Sequence, residues 1–201
     1  MKRLAVGCLA LLVLGRGARP AVGQISVRVA VGARYSTALV QDSIVVPIEL
    51  RPTIGPSFQL SVRDSFPRRW TGDATFDVST AGLNRRESGS SVDVGTMTNI
   101  ALTFGLRRTL GAGLAARLGV GGLVYSASEP GIFDQGKGGL FPLVSLSGSY
   151  APSFAANRAV EISLQYDLHR FITPALRSVG FNRARPVHRI AIGVSARVLG
   201  R

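Results

Sequence analysis

The feature that most constrains the fold is a long alternation of apolar and polar residues over positions 46–63. Every even position there is apolar, and from Glu49 onward no odd position carries a large apolar side chain. Because successive side chains of a strand point to opposite faces, one face would be apolar and the other polar. The segment is longer than an ordinary strand of about 5–6 residues. It is long enough to cross a bilayer, for which a tilted strand needs about 9–11 residues. The pattern predicts a membrane-barrel strand, in which Pro52 and Pro56 require a bulge, a break or an edge.

Seven further segments repeat this two-residue period, and turn-forming residues separate them. They lie at about 25–34, 70–84, 92–107, 112–125, 140–150, 160–169 and 188–198. A long apolar stripe of helical period is absent from this part of the sequence. The sequence therefore predicts an all-β fold, an eight-stranded antiparallel up-and-down transmembrane β-barrel.

The first 23 residues have the pattern of a signal peptide. Lys2 and Arg3 precede an apolar stretch over 4–15, and residues 21–23 form a small-x-small cleavage site. We expect cleavage after Gly23, with residues 24–201 forming one barrel domain in the cell outer membrane. Cys8 lies in the apolar stretch, so the mature chain would have neither a disulfide nor a cysteine metal site.

The connections between the predicted strands differ in length. Short connections at 64–69, 108–111 and 151–157 alternate with longer ones, including 126–139 and 171–186, while 85–91 forms a polar loop. Bacterial barrels have short periplasmic turns and longer outer loops, and aromatic residues mark the two membrane interfaces. The candidates are Phe66, Trp70, Tyr150 and Phe154 at the turns, and Tyr35, Tyr125 and Phe171 at the loops.

With these features the chain resembles the small eight-stranded outer-membrane barrels of Gram-negative bacteria, such as OmpX, OmpW and the barrel of OmpA. The resemblance covers about residues 24–198. It implies outer-membrane lipid and lipopolysaccharide as surroundings and the barrel-assembly machinery as a partner. Members of the class typically end in an aromatic residue, whereas this chain ends in Leu199-Gly200-Arg201. We expect a monomer.

The polar faces of the predicted strands carry many charged residues. An eight-stranded barrel is just wide enough for side chains to fill it, so its buried charges must pair. We predict a polar network in the lumen, with a narrow polar path or small-ligand site as the alternative. Besides Arg34, the predicted members are Arg28, Glu49, Arg51, Arg63, Asp77, Arg107, Arg117, Glu161, Asp167, His169, Arg189 and Arg197.

Catalytic patterns are weak in this sequence. Asp167 and His169 share a strand face with Ser163, which suggests a triad only if the three groups also meet in space. Outer-membrane lipid A deacylases, a related class, carry a His-x-Ser pair, but Ile190 stands where His188 would need a serine. Residues 131–138 match a phosphate-binding loop except at the last position. We predict neither an enzyme nor a cofactor or metal site.

The formal net charge of +13 allows anionic partners. Nucleic acid is not expected, because the basic residues are scattered and do not form a run with aromatics. In the last long loop, Arg177, Arg183 and Arg185 could contact lipopolysaccharide phosphates.

The leading functional hypothesis is a structural or surface-interaction barrel. The alternatives are a narrow transport barrel for small or hydrophobic solutes and a lipid-modifying enzyme that depends on His169 or His188. A third alternative is a soluble periplasmic ligand-binding barrel with its apolar face inward.

Overall fold

The computed structural model describes residues 25–42, 48–129, 133, 137–152, 159–178 and 180–200. The predicted signal peptide and Cys8 lie outside the described residues. In chain order, the elements are β1 (Ile25–Ser36), β2 (Val40–Asp42), β3 (Ile48–Pro52), β4 (Gly55–Phe66), β5 (Trp70–Glu87), β6 (Ser90–Gly111), β7 (Leu114–Ala127), β8 (Lys137–Tyr150), β9 (Val160–Phe171), the helix α1 (Pro174–Ser178) and β10 (Arg185–Leu199). Within the described ranges, no helix is long and apolar enough to cross a membrane.

Eight of the strands close into a ring. Its order is β1, β4, β5, β6, β7, β8, β9 and β10, and β10 pairs again with β1. Every pairing in the ring is antiparallel, and chain neighbours are ring neighbours, with β2 and β3 inserted after β1. The predicted eight-stranded antiparallel barrel is therefore confirmed.

The strand predicted over residues 46–63 is divided into β3 and β4, and the break lies between Pro52 and Gly55, as one of the irregularities that its prolines require. Residues 46 and 47 lie outside the described residues. At the break, Thr53 donates its N–H to the carbonyl of Gly82 at 2.8 Å, and the Gly82 N–H donates to Thr53 Oγ1 at 3.0 Å. Pro52, which has no N–H for a ladder, ends β3. The break also exchanges the two faces: Leu50 is buried, whereas Phe58 is exposed on the outside.

The outward face of the ring is apolar. A large apolar side chain on each ring strand is 37–61% exposed: Val31, Leu60, Phe76, Leu102, Val120, Leu146, Leu164 and Ile192. A continuous apolar band of this kind is unstable in water and is stable against lipid. The charged face points inward. The fold is therefore that of a membrane barrel, and the soluble alternative with an inward apolar face is wrong.

The two ends of the barrel differ. At the end that we call the turn end, β4–β5 and β6–β7 join through residues 67–69 and 112–113. The opposite end, called the loop end, carries β2, β3, α1 and the longer connections. The polar loop predicted over 85–91 is instead a continuation of two strands, with Glu87 paired to Ser90. Ser88 and Gly89 have positive φ values of 48° and 89°, as a tight two-residue hairpin turn requires.

Aromatic side chains mark the turn end as predicted, since Phe66, Trp70 and Tyr150 are exposed there. Arg108 lies 5.4 Å from the centre of the Trp70 ring. The prediction for the loop end is wrong for Tyr125 and Phe171, which are buried inside the barrel. Phe154 lies outside the described residues.

The interior has two layers. Charged and hydroxyl side chains fill it from the turn end to the middle. At the loop end an apolar cluster, which we call the apolar cap, takes their place. Its buried members include Leu39, Leu50, Leu83, Met97, Leu123, Tyr125, Phe133, Phe141, Leu143, Phe171 and Val187.

Candidate functional site

Four charged side chains form what we call the central cluster: Arg34 on β1, Asp77 on β5, Asp167 on β9 and Arg189 on β10. Arg34 and Asp77 form a two-pronged pair, in which Arg34 Nη2 lies 2.7 Å from Asp77 Oδ2. Asp167 Oδ2 lies 3.8 Å from Arg34 Nη2 and 3.9 Å from Arg189 Nη1. Two guanidinium groups thus face two carboxylates, and all four side chains are at most 4% exposed.

A second group, the mouth cluster, lies at the turn end and consists of Arg28, Arg63, Arg107 and Glu161. The carboxylate of Glu161 lies 3.1 Å from both Arg63 Nη1 and Arg107 Nη2, and 3.5 Å from Arg28 Nη1. Arg107 also donates to Ser149 Oγ at 2.6 Å. Three guanidinium groups therefore share one carboxylate, beside a cavity of about 320 Å³ that the half-buried Arg197 also lines.

Between these clusters, Arg117 pairs with Asp73, with Nη2 2.6 Å from Oδ1, and it donates to Thr103 Oγ1 at 3.0 Å. Two glycines make room for this guanidinium. A Cβ at Gly105 would lie 2.9 Å from Arg117 Cζ, and one at Gly119 would lie 2.7 Å from Nη1. Sequence reasoning missed Asp73, although it lies four residues from Asp77 on β5 and its side chain therefore points to the same, inward face.

The apolar cap contains one polar pair. Tyr125 OH lies 2.7 Å from His169 Nε2, and both residues are buried. Phe141 and Phe171 meet the Tyr125 ring edge-on, with centroids 5.6 and 5.4 Å away. The cap was also missed, because its members come from strand ends and connections that show no common period.

The central cavities of the described barrel are small, about 40 and 10 Å³. The larger has room for a few water molecules. The paired charges and the cap therefore fill the lumen above the mouth.

Eight of the twelve predicted lumen residues lie in the central and mouth clusters or at Arg117, and Arg197 lines the mouth cavity. The other three differ from the prediction. His169 belongs to the apolar cap. Glu49 and Arg51 face outward on β3, so their assignment to the lumen is wrong; Arg51 contacts the hydroxyl and the ring of Tyr35. The physical reason is the chain break before β4, which reverses the parity on which the assignment depended.

The predicted lipopolysaccharide contacts lie at the loop end. Arg177 on α1 and Arg183 are exposed, whereas Arg185 is half-buried and donates to Gln41 Oε1 at 2.6 Å.

The candidate catalytic groups do not assemble. Asp167 contacts Arg34 and Arg189, and His169 contacts Tyr125. Ser163 lies six residues along the same strand from His169, about 20 Å at the usual rise. His188 faces outward, with Nδ1 2.6 Å from Tyr166 OH. The phosphate-loop pattern at 131–138 lies mostly outside the described residues, and the described residues contain no group of side chains suited to a metal ion.

The sequence matches no family model and no curated protein. Its fold is similar to solved structures. Ail, the attachment invasion locus protein of Yersinia pestis, in complex with the heparin analogue sucrose octasulfate, has a TM-score of 0.55 and 15% identity, over 87% of this chain and 98% of that chain. Neisserial surface protein A has a TM-score of 0.47 and 11% identity, over 86% and 97% of the two chains. OprG of Pseudomonas aeruginosa has a TM-score of 0.45 and 8% identity, over 89% of this chain and 93% of that chain.

The similarity to Ail concerns the fold, and it includes nearly all of that chain. This chain therefore has the fold of a small outer-membrane β-barrel, as the resemblance in the sequence predicts.

Proposed function

We propose that this chain is a surface-interaction barrel of the outer membrane, without catalytic activity, whose loop end meets the surroundings of the cell. Residues 1–23 would direct its export, and the barrel-assembly machinery would insert residues 24–201 as a monomer. The apolar band supports the membrane position, and the short turns support a periplasmic turn end.

The filled interior is the observation that carries this proposal. A transport barrel needs a path through its lumen, whereas here the central cluster and the apolar cap occupy it within the described chain. The outer face of the barrel contacts lipid. The loop end is therefore the surface where a specific contact outside the cell can form.

The partner that we propose for the loop end is the phosphate-bearing saccharide of lipopolysaccharide. Arg177 and Arg183 are exposed there, and guanidinium groups bind phosphate through paired hydrogen bonds. Arg185 would complete the contact on releasing Gln41. The complex of Ail with sucrose octasulfate supports the choice of a polyanionic sugar as the probe.

The test is a titration of the folded protein in nonionic detergent with sucrose octasulfate, followed by calorimetry. We expect the double variant R177Q/R183Q to bind at least about tenfold more weakly, because two charge-assisted contacts are lost. The matched control is R68Q/R69Q, which removes two exposed arginines from the turn end. Equal binding by both variants would contradict the proposal.

The transport alternative has its own measurement. We expect the protein to give no stepwise conductance in a planar bilayer, because no open path crosses the described interior. Reproducible conductance steps that Asp77→Ala enlarges would show that the lumen conducts and would favour the transport barrel.

A further inference from the structure

The turn end contains a cavity that the proposed surface role does not use. It has a volume of about 320 Å³, opens at the barrel mouth, and is lined by Arg28, Arg63, Arg107, Arg197 and Glu161 together with serine and threonine hydroxyls. Ligand pockets usually begin at about this volume. Its lining is therefore large enough for a small molecule and is strongly basic.

The charges around the cavity are unbalanced. Glu161 lies within 3.5 Å of three guanidinium groups and is the one carboxylate residue in the described lining, while Asp73, which lies outside this lining, is paired with Arg117. Arg63 Nε is buried and has no hydrogen-bond partner among the described residues. Partly buried cations without an equal number of anions are costly, so an added anion would be stabilised here.

The geometry suits an oxyanion with several oxygens. Arg28, Arg63 and Arg107 come from three different strands and converge on one point. Guanidinium groups present paired donors that match phosphate. The hydroxyls of Thr71 and Thr109 line the same cavity and add neutral donors.

We propose that the mouth cluster binds a phosphate-bearing small molecule or headgroup from the periplasmic side. Glu161 occupies the centre of the site and competes with the ligand for the three arginines. This proposal depends on the barrel and not on the loop-end contact, so either can fail without the other.

The experiment is a calorimetric titration of the folded full-length protein with inorganic pyrophosphate, in nonionic detergent at low salt. We expect saturable binding at one site. Arg63→Gln should weaken it about tenfold, because a charge-assisted contact is lost. Glu161→Gln should bind more tightly than the unchanged protein, because the internal competitor is gone.

Two controls keep the result specific. R68Q/R69Q removes exposed charge from the same end without touching the cavity, and it should bind within about twofold of the unchanged protein. Folding of each variant is checked by the difference in gel migration between boiled and unboiled samples. If Glu161→Gln does not fold, Arg107→Gln replaces it and should weaken binding as Arg63→Gln does.

A second arm identifies the source of the phosphate. In nanodiscs of phosphatidylcholine, pyrophosphate should bind as in detergent. Added phosphatidylglycerol that competes with it would support the site and assign it to a lipid headgroup; lack of competition would support a soluble phosphate ester. Absence of saturable binding to the unchanged protein, or equal weakening by Arg63→Gln and R68Q/R69Q, would overturn the proposal.

Discussion

The central cluster and the mouth cluster are built from the same two kinds of group but in different proportions. In the central cluster, two guanidinium groups face two carboxylates, and every side chain is at most 4% exposed. In the mouth cluster, three guanidinium groups face one carboxylate, and the side chains are 5–16% exposed. The difference separates charges that maintain the fold from charges that can accept a ligand.

The physical reason is the cost of removing an ion from water. An enclosed charge needs an equal partner, because neither water nor a mobile ion can reach it. At the mouth, solvent and dissolved anions reach the arginines, so an excess of positive charge is tolerated. The two clusters should therefore respond differently when a carboxylate is removed.

The largest effect should come from the central cluster. Asp77→Asn would leave Arg34 and Arg189 with one carboxylate in an enclosed site, and we expect a loss of about 3–5 kcal/mol in the free energy of unfolding. The measurement is urea unfolding in detergent, followed by the fluorescence of Trp70, the only tryptophan.

The control for this variant is Glu87→Gln, which breaks the exposed pair with Arg85 at the loop-end turn. Exposed pairs contribute about 0–1 kcal/mol, so this variant should unfold close to the unchanged protein. A comparable loss in both variants would mean that the central cluster is not enclosed.

A smaller effect is expected at the mouth. Glu161→Gln removes the carboxylate that three arginines share, and we expect a loss of about 1–3 kcal/mol in low-salt buffer. Phosphate should restore much of this stability, because it can enter the cavity and replace the carboxylate. The same salt should not rescue Asp77→Asn beyond its general effect on the unchanged protein, and equal rescue would erase the contrast between the clusters.

The sequence predicts the barrel because its information is local and repeated. Alternation of apolar and polar residues over long segments indicates how many strands there are and which side chains of each strand face outward. The outward residues of β4 to β10 agree with this alternation. The charges at Arg28, Asp77, Glu161 and Arg189 could be placed inside by parity alone. Their division into two clusters could not, because it depends on the stagger between strands far apart in the chain.

Two other failures have equally specific causes. Glu49 and Arg51 were wrongly assigned to the lumen because a break between β3 and β4 shifts the strand register by one residue. The alternation of odd and even positions in the sequence does not reveal such a shift. The apolar cap was missed because Leu39, Tyr125 and Phe133 meet only after the ring has closed. Local patterns therefore determine the wall of this barrel, whereas its filling depends on long-range register.

The smallest effect extends the contrast between enclosed and accessible groups to two tyrosine–histidine pairs. Inside the apolar cap, a hydrogen bond of 2.7 Å joins Tyr125 OH and His169 Nε2. On the outer face, a hydrogen bond of 2.6 Å joins Tyr166 OH and His188 Nδ1. Tyr125→Phe leaves His169 Nε2 buried without its partner, so we expect a loss of about 1 kcal/mol. Tyr166→Phe removes the same hydroxyl where water and lipid headgroups can replace it, and the loss should stay within about 0.5 kcal/mol. Urea unfolding of both variants under one set of conditions makes the comparison, since the chemical change is identical. Equal losses of unfolding free energy in the two variants would show that water reaches the loop end as readily as the outer face. The apolar cap would then not exclude water from the lumen.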